Sequence, residues 1–236
     1  MQALILAGGL GTRLRPITDS IPKPMVTVLG RPFLYHQLEL LRGSGITDVV
    51  LSVGYLGEKI RDYFGDGSSM GVRIRYSFED KPMGTGGGLR AAGGLLEKEF
   101  FVVYGDSYLP VDYGEIELYF RASGKTGLIV AYDNSEDTTV PCNVSMDSNR
   151  LVTKYSKNSS VGDCTLVEAG VLAFRKKVIA LLPDGPASME EALFPALIER
   201  GELACFVTHQ RFFDIGSPGR LMRFQGYLND HIKDAL

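Results

Sequence analysis

The 236-residue chain, 44% hydrophobic and 22% charged, is long enough to bury a core of its own and too apolar for a disordered segment. Its formal net charge of −3 gives no global positive field for nucleic acid, so an anionic ligand must be held by a local group of residues. No apolar run reaches the ~20 residues of a membrane span, and the three scattered cysteines, Cys142, Cys164 and Cys205, lack metal-ligand spacing and fit reduced thiols.

The chain opens on a buried strand over residues 2–7 with no basic region ahead of it, which excludes a signal peptide and predicts a cytoplasmic protein. A helix opens at Pro32 and closes near Gly43. A β-branched run over 46–53, a helix over 56–64 stopped by Gly65, a strand over 72–78, a helix over 89–96 and a strand over 100–104 follow. This alternation predicts an α/β fold, a Rossmann-like, mostly parallel sheet sandwiched by helices. The second half is richer in strands (126–132, 142–146, 151–155, 166–174), which predicts a smaller mixed or antiparallel extension over the mouth of the site. Ser188-Met189-Glu190-Glu191 reads as a capping box starting a helix through about Arg200, and Pro218-Gly219 opens a last amphipathic helix. With no repeat and no linker, one domain over 1–236 is expected, made of halves 1–110 and 111–236.

Ligands of such sheets lie beyond the carboxyl ends of the strands, where residues 8–13, 83–88 and 105–107 fall. Gly8, Gly9 and Gly11, directly after Leu6-Ala7, let backbone amides approach a polyphosphate; Thr12 adds a hydroxyl and Arg13 a fork of donors. A tight turn alone has the same glycines. No Gly-Lys-Ser/Thr ends the segment, which excludes a Walker loop, and Leu14 stands where a Rossmann fingerprint needs its third glycine. Lys23 sits between Pro22 and Pro24, on stiff extended backbone that aims it at a ligand or in a solvated turn. Asp106 after the strand 100–104, and Asp214 in Phe213-Asp214-Ile215-Gly216, each put a carboxylate between an apolar run and a turn, as one shared Mg²⁺ would need.

A second glycine-rich stretch, Asp80-Lys81-Pro82-Met83-Gly84-Thr85-Gly86-Gly87-Gly88, offers bare backbone to a flat base. The run from Gly86 to Ala91 also fits a permissive dinucleotide-binding pattern with Asp106 20 residues after Gly86, although Pro82 and its neighbours separate it from the preceding strand. Asn143 and Glu168 carry groups for sugar hydroxyls, and Gly170 permits close approach.

Gly8-Gly9-Leu10-Gly11-Thr12-Arg13-Leu14-Arg15-Pro16, followed by Pro22-Lys23-Pro24-Met25, resembles the signature of the sugar-1-phosphate nucleotidyltransferases. The resemblance extends over nearly the whole chain, and the short form bearing Gly-Thr-Gly-Gly-Gly is most similar to heptose- or hexose-1-phosphate guanylyltransferases. It implies catalytic roles for Arg13 and Lys23 on the triphosphate and the departing pyrophosphate. Leu6, Ala7, Gly8, Gly9, Gly11, Thr12, Arg13, Lys23, Met83, Gly84, Thr85, Gly86 and Gly87 are then nucleotide-binding, with the last five against the base. It further implies Asp106 and Asp214 as Mg²⁺ ligands, and Asp106, Ser107, Asn143, Lys157, Glu168, Ala169 and Gly170 on the sugar phosphate. The family's Glu-Lys-Pro is here Ser156-Lys157-Asn158, which leaves Lys154 as an alternative to Lys157. Residues 1–110 then bind the nucleotide and residues 111–236 bind the sugar and close the fold.

The expected reaction is Mg²⁺-dependent transfer of a nucleotidyl group from a nucleoside triphosphate, GTP with a heptose or hexose 1-phosphate, giving a nucleotide sugar and pyrophosphate. The alternatives are a uridylyltransferase on an amino-sugar 1-phosphate such as N-acetylmuramate 1-phosphate, an NAD-dependent oxidoreductase and a non-catalytic nucleotide-sugar sensor. An attacking phosphate oxygen is already anionic and needs no general base, which leaves His36, His209 and His231 as surface or packing residues. No hexapeptide strands of the kind some members carry are seen, so a single activity is expected, in a monomer or homodimer with no nucleic acid or membrane partner.

Overall fold

The computed structural model describes residues 1–135, 140–156 and 164–233, the side chains of the last two excepted. The chain begins with β1 (Gln2–Ala7), crosses a glycine-rich segment and forms the short hairpin β2 (Thr27–Val28) and β3 (Arg31–Pro32) before α1 (Phe33–Gly43). Then come β4 (Asp48–Val53), α2 (Gly57–Phe64), β5 (Arg73–Phe78), α3 (Gly84–Ala91), β6 (Glu99–Tyr104), β7 (Ser107–Tyr108) and α4 (Tyr113–Ser123). The second half contributes β8 (Gly127–Tyr132), β9 (Val144–Met146), β10 (Val152–Tyr155), β11 (Val167–Arg175), α5 (Phe194–Glu199), β12 (Leu203–Thr208), β13 (Phe213–Asp214) and α6 (Pro218–Lys233).

Seven strands form one sheet in the order β12-β8-β11-β6-β1-β4-β5. β1, β4, β5 and β6 run parallel, β12 runs parallel to β8, and β11 is antiparallel to both β6 and β8. Side-chain alternation supplies both faces. Ala3, Ile5 and Ala7 pack with α1, α2 and α4 through Leu38, Ile60 and Phe120. Leu4, Phe100 and Val102 pack on the other face with Leu89 of α3 and Phe194 and Leu197 of α5.

The predicted antiparallel extension is smaller than its strand count suggested. β8 is buried along its whole length and β11 along all but its last residue, and strands covered on both faces belong in the middle of a sheet. Among the described residues only β9 and β10 form a separate antiparallel pair from that region. The helix expected over 89–96 starts instead at Gly84 and gives way to a 3₁₀ turn over Ala92–Leu95. Glycine's poor helix propensity is overridden there by packing, because Gly86 and Gly87 donate to the Ala187 carbonyl at 2.8 and 3.2 Å. The expected capping box does not form. The Ser188 hydroxyl donates to Glu190 Oε2 at 2.5 Å instead, and Met189–Leu193 makes a single π turn before the short α5.

A third, smaller core joins Leu14, Val26, Val28 and Phe33 to Phe213, Ile215 and Phe224. α6 thereby clamps the segments that carry Arg13, Lys23 and Asp214. None of the described helices is long and apolar enough to cross a membrane.

Candidate active site

Parallel pairing brings four loops to one edge of the sheet. Leu6 pairs with Tyr104, Ala7 with Val53 and Val53 with Phe78, so the chain leaves β1, β6, β4 and β5 at one level. These loops surround a cavity of about 580 Å³, lined by residues 6–13, Lys23, Pro24, Glu79, residues 82–85, residues 104–106 and Gly216. Two glycines are dictated by crowding at this edge. A side chain on Gly105 would come within 2.6 Å of the Leu6 carbonyl, and Gly11, at φ +63°, would meet Thr18 and the Lys23 side chain near 3.0 Å.

Among the residues expected to bind nucleotide, Leu6, Ala7, Gly8, Gly9, Gly11, Thr12, Arg13, Lys23, Met83, Gly84 and Thr85 line the cavity. Arg13, at its mouth, pairs with no carboxylate among the described residues and lies beside Gly216. Lys23 is ion-paired with Asp106 Oδ2. Pro22 is extended, but Lys23 itself opens a 3₁₀ turn, Lys23–Met25, closed by Met25 N donating to Pro22 O at 2.8 Å. A proline in a first turn forfeits no hydrogen bond, which makes the tight turn compatible with Pro24.

Gly86 and Gly87 do not line the cavity. They are buried inside α3, where a side chain on Gly87 would meet the Gly185 carbonyl at 2.8 Å and one on Gly86 the Ala187 carbonyl at 3.2 Å. Their lack of side chains admits the protein's own 185–187 backbone, and Gly86 to Ala91 lies within α3 and does not form the strand-to-helix turn that the dinucleotide-binding reading needs. The Thr85 hydroxyl is also engaged internally, donating to Glu190 Oε2 at 2.8 Å and accepting from Met189 N at 2.9 Å.

Asp106 and Asp214 are brought together by the two-stranded pair of β7 and β13. Asp214 is in register with Ser107, the neighbour of Asp106, and Ile215 N donates to the Asp106 carbonyl at 3.0 Å. Asp214 is held by Gly216 N at 2.8 Å and by Arg220 Nη1 at 3.1 and 3.2 Å. Asp106 lines the cavity and Asp214 does not. Both are hard oxygen donors of the kind Mg²⁺ takes, one or two at a time, with substrate phosphates and water filling its shell. No larger cluster of His, Cys, Asp or Glu with metal-binding geometry occurs among the described residues.

On the sugar side the structure gives a mixed answer. Glu168 is buried, accepts from Gly170 N at 2.6 Å and has its own backbone N–H held by Asn143 Oδ1 at 2.8 Å. Gly170, at φ +80°, faces Ser107, where any side chain would collide. The Ala169 side chain is fully buried in the core under the sheet, so it offers a sugar only its backbone. Asn143, Glu168 and Gly170 are joined by these hydrogen bonds, and none of Ser107, Asn143, Glu168, Ala169 and Gly170 is among the residues lining the cavity. Lys157 lies outside the described residues; its alternative, Lys154, is on β10 opposite Ser145.

Three residues escaped the sequence reading. Glu79, after the end of β5, lines the cavity, with Oε1 accepting from Ser52 Oγ at 2.8 Å and Oε2 from Met83 N at 3.1 Å. Any side chain on Gly8 or Gly88 would come within 2.8 Å of its Oε1, so both glycine segments are bare where they meet this carboxylate. The signal that singled out Asp106, an acid just past a strand end, also applied to it. Tyr104 lines the cavity and donates to Glu190 Oε1 at 2.8 Å, and burial beside Glu168 and Glu190 pushes its hydroxyl pKa well up. Tyr104 belongs to no motif, and Glu190 stood only in the expected capping box.

A family model described as Nucleotidyl transferase matches residues 2–230. The mannose-1-phosphate guanyltransferases of Eremothecium gossypii and Saccharomyces cerevisiae are each 34% identical over 226 residues, covering 92% of this chain and 62% of theirs. The chain thus spans about six tenths of the length of these curated relatives. HddC from Yersinia pseudotuberculosis is 29% identical, with 96% of this chain and 99% of that one superposed at a TM-score of 0.82; its complex with GMP-PN superposes at 0.80. A putative glucose-1-phosphate thymidylyltransferase from Bacillus anthracis, 22% identical with a TM-score of 0.81, shares the fold. Motifs, fold and family match agree, and the chain belongs to the nucleotidyl transferase family.

Proposed function

We propose that this chain transfers a guanylyl group from GTP to a sugar 1-phosphate, giving a GDP-sugar and pyrophosphate. The observation that carries the reading is one cavity holding the Gly8–Gly11 backbone, Arg13, Lys23 and Asp106 at the carboxyl edge of the sheet. An oxygen of the sugar phosphate attacks the α-phosphorus, and the bond to the β-phosphate oxygen breaks with its electron pair leaving on pyrophosphate. The nucleophile is already an anion, so the protein's work is alignment and charge neutralisation. Arg13 at the mouth takes the leaving phosphates, and Lys23, held against Asp106, meets the transferring group. A Mg²⁺ held by Asp106 and Asp214 would add a further positive charge on the phosphate oxygens when bound.

The choice of guanine rests on Glu79. Guanine presents two adjacent donors, N1–H and N2–H₂, where uracil and thymine present one, and a carboxylate is acceptor-only with lone pairs to spare beyond Ser52 and Met83 N. The relatives named as guanyltransferases and the HddC complex with GMP-PN support the same base. The named mannose 1-phosphate of those relatives favours a hexose acceptor over the heptose that the sequence also allowed.

Pyrophosphate release from each nucleoside triphosphate with a panel of hexose, heptose and amino-sugar 1-phosphates tests this. GTP with mannose 1-phosphate or a related sugar is expected to be fastest. Preference for UTP would overturn the assignment of Glu79, and release from no combination would leave a nucleotide-sugar sensor.

A further inference from the structure

The glycine-rich start of α3 is held by a segment more than 100 residues later in the chain, and that segment carries a buried acid. Ala187 N donates to Met83 O at 2.9 Å, and the Ala187 carbonyl takes the N–H groups of Gly86 and Gly87. The π turn that follows brings Glu190, 9% exposed, to the same place. Such turns are rare and concentrate at functional sites. The Glu190 carboxylate accepts from three hydroxyls: Thr85 at 2.8 Å, Ser188 at 2.5 Å and Tyr104 at 2.8 Å. Thr85 and Tyr104 both line the cavity, from the start of α3 and from the end of β6, and Tyr104 is two residues from Asp106.

An ionised carboxylate accepts and never donates, so each hydroxyl must point its hydrogen at Glu190, which fixes all three rotors. Charge-assisted bonds of this kind are short and directional, and their buried setting strengthens them. An acid near a triphosphate cavity is tolerable when hydroxyls take up its oxygens in this way, and Glu190 itself does not line the cavity. We propose that Glu190 is a positioning residue for the nucleotide. It locks the base-side wall, through Thr85, to the strand end that carries Asp106, through Tyr104, so that base and phosphates are held in one fixed relation.

The inference rests on the nucleotidyl-transfer reading, and the experiment separates the two. Binding of a non-hydrolysable GTP analogue is measured by calorimetry for wild type, Glu190→Gln, Thr85→Ala and the double variant, with steady-state kinetics and melting temperatures alongside. Glu190→Gln puts an amide where an acceptor is needed, and it is expected to weaken analogue binding about tenfold and raise the GTP KM alike, with sugar 1-phosphate KM changed less than about threefold. The double variant should bind no worse than Glu190→Gln alone, because both act through one bond. Unchanged affinity, additive losses, or a fall in kcat with both KM values intact, as a smaller folded fraction would give, overturns the inference. Should Glu190→Gln fail to fold, Ser188→Ala and Tyr104→Phe each remove one hydroxyl; about threefold weaker binding supports the role, and unchanged binding in both refutes it. A wild type that binds no nucleoside triphosphate sinks the functional reading and this inference with it.

Discussion

Glu79 and Asp106 are the residues on which the chemistry turns. Replacing Glu79 by Gln keeps the size but exchanges one acceptor for a donor facing the guanine N–H groups. The expected result is a fall in kcat/KM for GTP of about 100-fold with a much smaller change for UTP, the size that follows when a site loses a hydrogen bond built for one substrate. Equal losses for both nucleotides would show that Glu79 shapes the cavity without reading the base. Asp106→Asn removes the charge that pairs with Lys23 and, with Asp214, would hold Mg²⁺. Turnover should drop at least about 1000-fold while the melting temperature moves by only a few degrees. Retained turnover would refute its place at the phosphates. Arg13 and Asp106 were legible in the sequence because their motifs follow strand ends, and Lys23 because prolines flank it on both sides. Glu79 was not, because an acid at a polyphosphate site reads as solvated until Ser52 and Met83 are seen to hold it.

Among the elements, α6 shows how a helix remote from the substrate governs the site. Phe224 is fully buried and touches Phe33 at a ring separation of 5.1 Å, Tyr108 at 4.9 Å and Phe213 at 6.0 Å. It thereby joins α1, β7 and β13, the last two being the strands beside Asp106 and Asp214. Phe224→Ala should cost about 3–5 kcal/mol in chemical denaturation, the range for a buried Phe truncation. It should also lower activity more than Leu118→Ala, since Leu118 is 71% exposed on α4. A loss below about 1 kcal/mol would show that the third core does not clamp the site. The final helix was readable from Pro218-Gly219 and its amphipathic pattern. The start of α3, Gly84 to Gly88, was read as a loop because four glycines within five residues oppose a helix by propensity. What permits it, the Ala187 carbonyl on Gly86 and Gly87, is set by tertiary contact alone. The π turn at Met189 was hidden for the same reason: Ser188 spends its hydroxyl on Glu190, in contact with β6 and α3, and not on the helix end.

Over the whole molecule, the sheet alternation was the most legible feature, and the central place of β8 and β11 the least, since a fully apolar strand looks alike at the centre of a sheet or in a separate layer. Burial of this sheet and its helices has a consequence in alkali. It pushes the Cys205 thiol up from 9.0 to about 12, and the hydroxyls of Tyr76 and Tyr108 from 10.0 to about 12. Tyr113 and Tyr155 are raised in the same way. The unfolded chain loses these protons first, so above the ordinary values the native state binds more protons than the unfolded one. The stabilisation is complete below pH 9, falls as pH rises toward about 12, and is gone once the native groups ionise. Denaturation midpoints should therefore hold up to about pH 9 and drop steadily above it, as tyrosinate absorbance rises on unfolding; a flat profile to about pH 11 would contradict the burial of these groups.

All three scales converge on nucleotidyl transfer, and the fate of the α-phosphate tests it most directly. GTP labelled at the α-phosphate is incubated with mannose 1-phosphate, Mg²⁺ and the protein, and the products are separated. The account predicts label in a GDP-sugar with one unlabelled pyrophosphate released for each, and neither product with Asp106→Asn. Label recovered only in GTP, or in GMP and GDP without any nucleotide sugar, would contradict it.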